Sequence, residues 1–193
     1  FNEDIHKWDV SNGTDFHSMF HLAESFNQDI GPWNVSNGIY FWCMFFDAKS
    51  FNQDIGSWNM SSGRELQSMF CGAESFNQDI GSWNVSNAIS FHSMFYNAPS
   101  FHQNLSKWNT GNVRNMSFMF TGASSFNGDV STWETRNVTR MHSMFRGASS
   151  FCQDVSSWNV SNVEYHVDMF SRAESFRMVL APRFSDQHYS VFC

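Results

Sequence analysis

Aspartates that recur every 25 residues are the first groups in this sequence that could do chemistry. If the repeats stack, neighbouring carboxylates about 5 Å apart repel by about 3 kcal/mol at an effective dielectric of about 20. These side chains must then be solvated, capped by backbone amides or neutralised by a cation. Capping is the favoured interpretation and calcium binding the weaker one; no other metal and no cofactor is expected. The series comprises Asp4, Asp29, Asp54, Asp79, Asp129 and Asp154, among which Asp29, Asp54 and Asp79 are the candidate calcium ligands.

Eight Asn-x-Ser/Thr sequences could carry N-linked glycans if the protein is secreted by a eukaryote. Four of them directly follow a repeated tryptophan, where the alternation of a strand would point the asparagine outward. The alternative is that Trp-Asn-Val-Ser is simply the repeat motif, which no transferase reads. The candidates are Asn34, Asn59, Asn84 and Asn159 after the tryptophans, and Asn12, Asn104, Asn115 and Asn137 elsewhere.

Four cysteines, Cys43, Cys71, Cys152 and Cys193, show no spacing typical of a metal site. Cys43 and Cys71 stand in neighbouring repeats and could approach disulfide distance. Cys152 and Cys193 could then tie the end of the chain to the last full repeat. The alternative is four buried or free thiols, since cysteine is also an ordinary small core residue.

A candidate partner-binding surface lies at positions 14, 15, 17 and 21 of the repeat, which vary along the chain. The second repeat places Tyr40, Trp42 and Phe46 there, and Tyr96 follows two repeats later. Outward aromatic side chains in a patch often mark contact with a partner. The alternative is that flanking loops cover these rings.

Catalysis, nucleic-acid binding and membrane insertion are not expected. No serine-hydrolase, zinc-protease or phosphate-loop motif is present, and the serines, aspartates and histidines recur in parallel series instead of converging as unlike groups. The net charge of −7 opposes binding to a phosphate backbone. No run of about 18 apolar residues could span a bilayer.

The elements that would position these groups belong to a unit of 25 residues, which recurs without insertion or deletion. Position 8 of the unit is always Trp, position 19 always Met, position 20 always Phe and position 23 always Ala. Such a strict register leaves no room for a linker or a second domain. The full repeats begin at Phe1, Phe26, Phe51, Phe76, Phe101, Phe126 and Phe151.

Two short elements are expected in each unit. Positions 8 and 10 alternate as in a strand with one buried face. Positions 16, 19, 20 and 23 follow the stripe of a helix of about two turns, as in Phe91, Met94, Phe95 and Ala98. Gly or Asn at position 22 suits a left-handed residue that ends this helix.

The fold prediction follows from the size of this unit, because one copy cannot bury its own apolar side chains but stacked copies can. The sequence predicts an α/β solenoid of leucine-rich-repeat type, with one short parallel strand and one short helical segment per repeat. Seven stacked repeats would occupy residues 1–175. A partial eighth repeat or C-terminal cap would occupy residues 176–193.

The repeated pattern Phe-Asn-x-Asp-Ile-x-x-Trp-Asn-Val-Ser-Asn resembles the 25-residue repeat of BspA-like surface proteins, a leucine-rich-repeat relative that includes mycoplasma lipoprotein-type repeats. The unit at residues 101–125 matches best, with Asn112-Val113 followed by Met116, Met119 and Phe120. The resemblance covers residues 1–175 and implies a solenoid used for surface display, adhesion or matrix building. It supplies no catalytic residues.

The expected function is therefore non-enzymatic and extracellular or at the cell surface. The first hypothesis is a structural or adhesive protein that displays a rigid surface and could assemble head to tail into a fibre or layer. The second hypothesis is a module that recognises a protein or a glycan through Tyr40, Trp42 and Phe46.

Overall fold

The computed structural model describes residues 1–184 and corrects the predicted fold class. The described residues contain one short 3₁₀ helix, Met178–Leu180, and no α-helix. Strand pairing is limited to single-residue parallel bridges at position 15 of the repeat, so the predicted α/β solenoid with a strand and a helix per repeat is wrong. The bridges join Asp15, Tyr40, Glu65, Ser90, Asn115, Arg140 and Tyr165 in succession.

The segment predicted as a helix is a run of tight turns. In the fourth repeat, the amides of Met94, Tyr96 and Ala98 each donate to the carbonyl three residues earlier, at 3.1–3.2 Å. Ser93 and Asn97 have φ angles of 54° and 50°, which an α-helix excludes. Positions 18 and 22 are left-handed in all seven repeats: Ser18, Leu22, Cys43, Asp47, Ser68, Gly72, Ser93, Asn97, Phe118, Gly122, Ser143, Gly147, Asp168 and Arg172.

The amides between these turns bond to the next repeat. The amide of Ser93 donates to the carbonyl of Ser117 at 3.0 Å, and that of Phe95 donates to Met119 at 2.9 Å. Along the segment, amides that donate to a carbonyl of their own repeat thus alternate with amides that donate to a carbonyl of the next repeat. Because every second amide is used in a turn, the ladder of a continuous strand cannot form here.

The predicted strand at positions 8 to 10 is also absent, and a side-chain bond links the repeats there. The indole N–H of Trp83 donates to the backbone carbonyl of Ile55 in the preceding repeat at 3.0 Å. Six tryptophans make the equivalent bond, at 2.9–3.1 Å: Trp33, Trp58, Trp83, Trp108, Trp133 and Trp158. The apolar ring is buried while its one polar atom is satisfied.

Asparagine and glutamine side chains add further bonds between repeats. The amide oxygen of Asn52 accepts the backbone N–H of Asn77, its counterpart one repeat later, at 2.9 Å. Gln78 donates its side-chain N–H to the backbone carbonyl of Asn52 at 2.8 Å. These bonds satisfy backbone groups that a sheet would otherwise pair.

The apolar core consists of columns of equivalent side chains, as the repeat pattern predicted. The rings of Phe76 and Phe101 stack with centroids 5.9 Å apart, and Phe70 lies against Phe76 at 3.9 Å. Tryptophans 58 and 83 stack in the same way at 6.4 Å. Beyond the seventh repeat, the carbonyl of Leu180 accepts the amide of Val155, which brings the segment after residue 176 onto the end of the stack.

Replacement of Trp83 by Phe should destabilise the protein, because it removes the indole donor to the buried carbonyl of Ile55, which keeps only the amide of Trp58, and leaves a smaller ring in the core. We expect the free energy of unfolding to fall by about 1–3 kcal/mol in urea denaturation. Trp8→Phe is the matched control: Trp8 is 52% exposed and makes no such bond in the described residues. Its expected change is within about 0.5 kcal/mol. Equal losses in the two variants would contradict the role of the indole bond.

Candidate functional site

The variable columns at positions 15, 17 and 21 lie on the segment of tight turns, among the mostly buried positions 16, 19 and 20, and their side chains are exposed or half-buried in most repeats. Tyr40 is 42% exposed and Trp42 36% exposed, while Phe46 is half-buried. The indole of Trp42 stacks on His17 at 4.4 Å, and Phe46 stacks on His21 at 4.9 Å. We call Tyr40, Trp42 and Phe46 the aromatic patch.

Tyr96, the fourth predicted partner-binding residue, lies apart from this patch. It shares a column with Phe46 but belongs to the fourth repeat, and Cys71 stands between the two. Its half-buried ring meets Phe118 edge-on at 6.5 Å. The structure therefore places three of the four predicted residues on one repeat and the fourth two repeats away.

The asparagines that follow the tryptophans are exposed, with the flanking positions 8 and 10 turned inward. Each accepts the backbone N–H of the serine two residues later through its amide oxygen, at 3.1–3.2 Å, as Asn84 does from Ser86. Among the other four candidates, Asn12, Asn104 and Asn137 are exposed and Asn115 is half-buried. Glycosylation at these eight asparagines stays a prediction.

The repeated aspartates cap their own loops. The carboxylates of Asp29, Asp54 and Asp79 each accept the backbone N–H of the glycine two residues later at 2.9 Å. The described residues contain no group of three His, Cys, Asp or Glu side chains arranged to hold a metal ion. The geometry supports the capping interpretation, and calcium binding at Asp29, Asp54 and Asp79 stays a prediction.

Three of the four cysteines are free thiols in different surroundings, and the predicted disulfide between Cys43 and Cys71 is not formed. Burial raises the pKa of the half-buried Cys43 thiol. Burial, with the nearby carboxylate of Asp47 and the Cys43 sulfur adding to it, raises the pKa of Cys71 to about 12. Cys152 is exposed. The predicted pairing of Cys152 with Cys193 lies outside the described residues.

A polar cluster that sequence reasoning missed lies in the column of position 17. Ser117 is fully buried, and its hydroxyl contacts the Nδ1 atom of His142 at 2.9 Å. The Nδ1 atom of His92, in the repeat before Ser117, is buried without a hydrogen-bond partner. Burial lowers the pKa of both histidines. The serine–histidine contact is closed to a substrate, because the serine hydroxyl has no access to solvent.

These features define a stacked-repeat protein in which one face varies and the core does not. Three overlapping segments, residues 1–80, 40–131 and 99–183, match the family described as Mycoplasma protein of unknown function, DUF285. The chain belongs to this family. No similar sequence was found among curated proteins. The match supports the predicted Mycoplasma-type repeat protein, but it does not identify BspA-like leucine-rich repeats specifically. The one helix of the described residues, Met178–Leu180, is not long and apolar enough to cross a bilayer.

Alkylation should separate the three described thiols by rate. At pH 8, iodoacetamide should modify the exposed Cys152 first and Cys71 last, because the thiolate is the reactive form and the raised pKa of Cys71 makes it scarce. The rates can be followed by peptide mass spectrometry on reduced protein. Equal rates at Cys71 and Cys152, or a Cys43–Cys71 crosslink that forms in air, would contradict the described thiol environments.

Mild acid should destabilise the protein through His92. Burial lowers its pKa in the folded state, with the charge of His142 adding to the effect. Below the ordinary histidine value of about 6.5, the unfolded chain therefore binds a proton that the folded chain does not, and stability falls with pH. His92→Gln should lose less stability than wild type between pH 7.5 and 5.5 in urea denaturation. The control is His21→Gln, an exposed position, which should follow wild type.

Proposed function

We propose that this chain is a non-enzymatic structural or adhesive module that works outside the cell or at its surface. It would present a rigid face made of stacked, variable side chains. The observation that carries the proposal is the division within each repeat: core positions 1, 8, 19, 20 and 23 keep their identity through seven copies, while positions 15, 17 and 21 change.

Rigidity is what such a module needs, and the contacts between repeats supply it. The backbone segment that carries the variable side chains donates every second amide to the next repeat, as Ser93 does to Ser117 at 3.0 Å. The columns therefore keep a fixed spacing of about 4.8 Å per repeat. A partner that meets several repeats would find an ordered surface, so little conformational entropy is lost on binding.

The proposal also holds that the protein is not an enzyme. The serines and aspartates of the repeat are used in capping and in bonds between repeats, as Asp79 and Ser82 illustrate. The serine–histidine contact at Ser117 is sealed from solvent. A catalytic site needs unlike groups that converge on an accessible point.

The aromatic patch favours a second candidate function, the specific recognition of a protein or a glycan. Tyr40 and Trp42 keep a third or more of their surface exposed, and they lie two residues apart on one inner repeat; the other exposed large apolar side chains belong to the first repeat or to residues 165–179. Trp42 is held in place by the ring of His17 beneath it. Exposed, rigid aromatic rings are frequent centres of binding energy.

The proposed location can be tested on cells that make the protein. A membrane-impermeant amine label applied to intact cells should modify the exposed Lys7 and Lys107 as fully as it does after lysis. Modification that requires lysis would contradict a surface or extracellular role. Negative-stain microscopy of the purified protein would test assembly into fibres or layers.

Substitution at the aromatic patch separates the two candidate functions. Beads coated with wild-type protein should adhere to cells or matrix, and the recognition hypothesis predicts a loss of about tenfold or more for Tyr40→Ser combined with Trp42→Ser. The control is Tyr165→Ser, an exposed tyrosine in the same column as Tyr40, which should leave adhesion unchanged. Adhesion that survives both substitutions supports the structural candidate, and a lack of adhesion and assembly in wild type contradicts both.

A further inference from the structure

A groove runs along the stack between the columns of positions 12 and 14, and none of the aromatic-patch residues lines it. Its larger part has a volume of about 550 Å³, and a second part of about 330 Å³ adjoins it at Asn112 and Arg114 and extends to Asn162. One wall is formed by Ile39, Arg64, Ile89 and Arg114, and the other includes Asn87 and Asn112.

The first wall alternates apolar and cationic side chains. The backbone of each of these residues is bonded to the one before it: Arg64 donates to Ile39 at 3.0 Å, and Arg114 donates to Ile89 at 3.0 Å. With about 4.8 Å per repeat, the guanidinium groups are carried on backbone positions about 10 Å apart, with one isoleucine between them.

Both arginines are exposed and available to a ligand. Within residues 1–184, no carboxylate lies at ion-pair distance from Arg64 or Arg114. The chain as a whole carries a net charge of −7, so an anion would be attracted to this groove by the two arginines and not by the overall charge of the protein. Arginine binds a carboxylate through two parallel hydrogen bonds, which makes the spacing of the pair selective.

The second wall presents amides in fixed orientations. The side-chain N–H of Asn87 donates to the backbone carbonyl of Ser61 at 2.7 Å, and that of Asn112 donates to Ser86 at 2.7 Å. One bond of this kind leaves the amide oxygen and a second N–H of each side chain for another partner. These are the donors and acceptors that suit hydroxyl groups.

We propose that this groove binds an extended acidic polysaccharide in which a uronic acid alternates with an uncharged sugar. One sugar residue of an extended chain advances by about the height of one repeat. A carboxylate on every second sugar then meets Arg64 and Arg114, and the C–H face of the intervening sugar packs on Ile89. The asparagine amides bind hydroxyl groups along the other wall.

An extended peptide fits this alternation less well. Side chains on one face of a strand recur every 6.6–6.8 Å, approximately, and fall out of step with the repeats. A polyproline II peptide presents one side chain per turn of about 9.3 Å, which could match the two arginines. It would leave Ile89, between them, without a partner.

Binding can be measured calorimetrically at low salt with an octasaccharide of alternating glucuronate and N-acetylglucosamine as the probe. The wild-type protein should bind it, and Arg64→Gln combined with Arg114→Gln should weaken binding about tenfold or more. Arg146→Gln, at an exposed arginine outside the groove, should leave the affinity unchanged. An uncharged chitin octasaccharide should bind much more weakly than the acidic probe.

Spacing is tested by a variant of unchanged composition, Ile89→Arg combined with Arg114→Ile, which places the two charges on adjacent repeats. It should lose most of the affinity for the acidic octasaccharide while unfolding in urea like wild type. Wild type that does not bind the probe, equal binding by the spacing variant, or a hexaglutamate peptide that binds more tightly than the octasaccharide would overturn the proposal. Recognition through the aromatic patch does not depend on this result, because Tyr40 and Trp42 do not line the groove.

Discussion

The structure depends on the alignment of equivalent residues in successive repeats, each stacked on its counterpart. Each of the six buried tryptophans donates its indole N–H to a backbone carbonyl in the preceding repeat. Donor and acceptor residues lie 28 positions apart in every case. The phenylalanine columns impose the same requirement through ring stacking. An insertion of one residue would change the spacing of every bond that spans it, so a constant length of 25 residues keeps each junction of the stack bonded.

The same constraint makes core positions intolerant of substitution and leaves surface positions free to vary. Core side chains touch their own counterparts above and below, so a change in one repeat disturbs two neighbours. Side chains at positions 12, 14, 15, 17 and 21 are exposed or partly exposed in most repeats, with Cys71 and Ser117 as buried exceptions, and they can change without affecting the register. The aromatic patch and the arginine groove are therefore separate sites on one rigid support, each defined by which residues occupy an outward column.

The sequence was sufficient to predict the stacked columns, because the invariant Trp, Met and Phe positions indicate burial directly. It misled on local structure for two reasons. The left-handed conformation at position 18 falls on residues such as Ser93 and Phe118, which carry no signal comparable to glycine, so the apolar spacing suggested a helix. Alternation around Trp83 suggested a strand, although its indole bond replaces the strand ladder. The groove escaped prediction because the repeat pattern places Arg64 and Arg114 in one column but does not show that a depression lies beside that column.

Deletion of one complete repeat tests the register most directly. Removal of residues 76–100 joins Ser75 to Phe101, which occupies the same position as Phe76, so every later residue keeps its partner type. We predict cooperative urea unfolding, followed by tryptophan fluorescence, with the buried tryptophan environment retained. Removal of residues 76–99 leaves one extra residue at the junction, which disturbs the bonds across it, and should lower the free energy of unfolding well below that of the first deletion. Similar unfolding curves for the two deletions would contradict the claim that a 25-residue register holds the fold together.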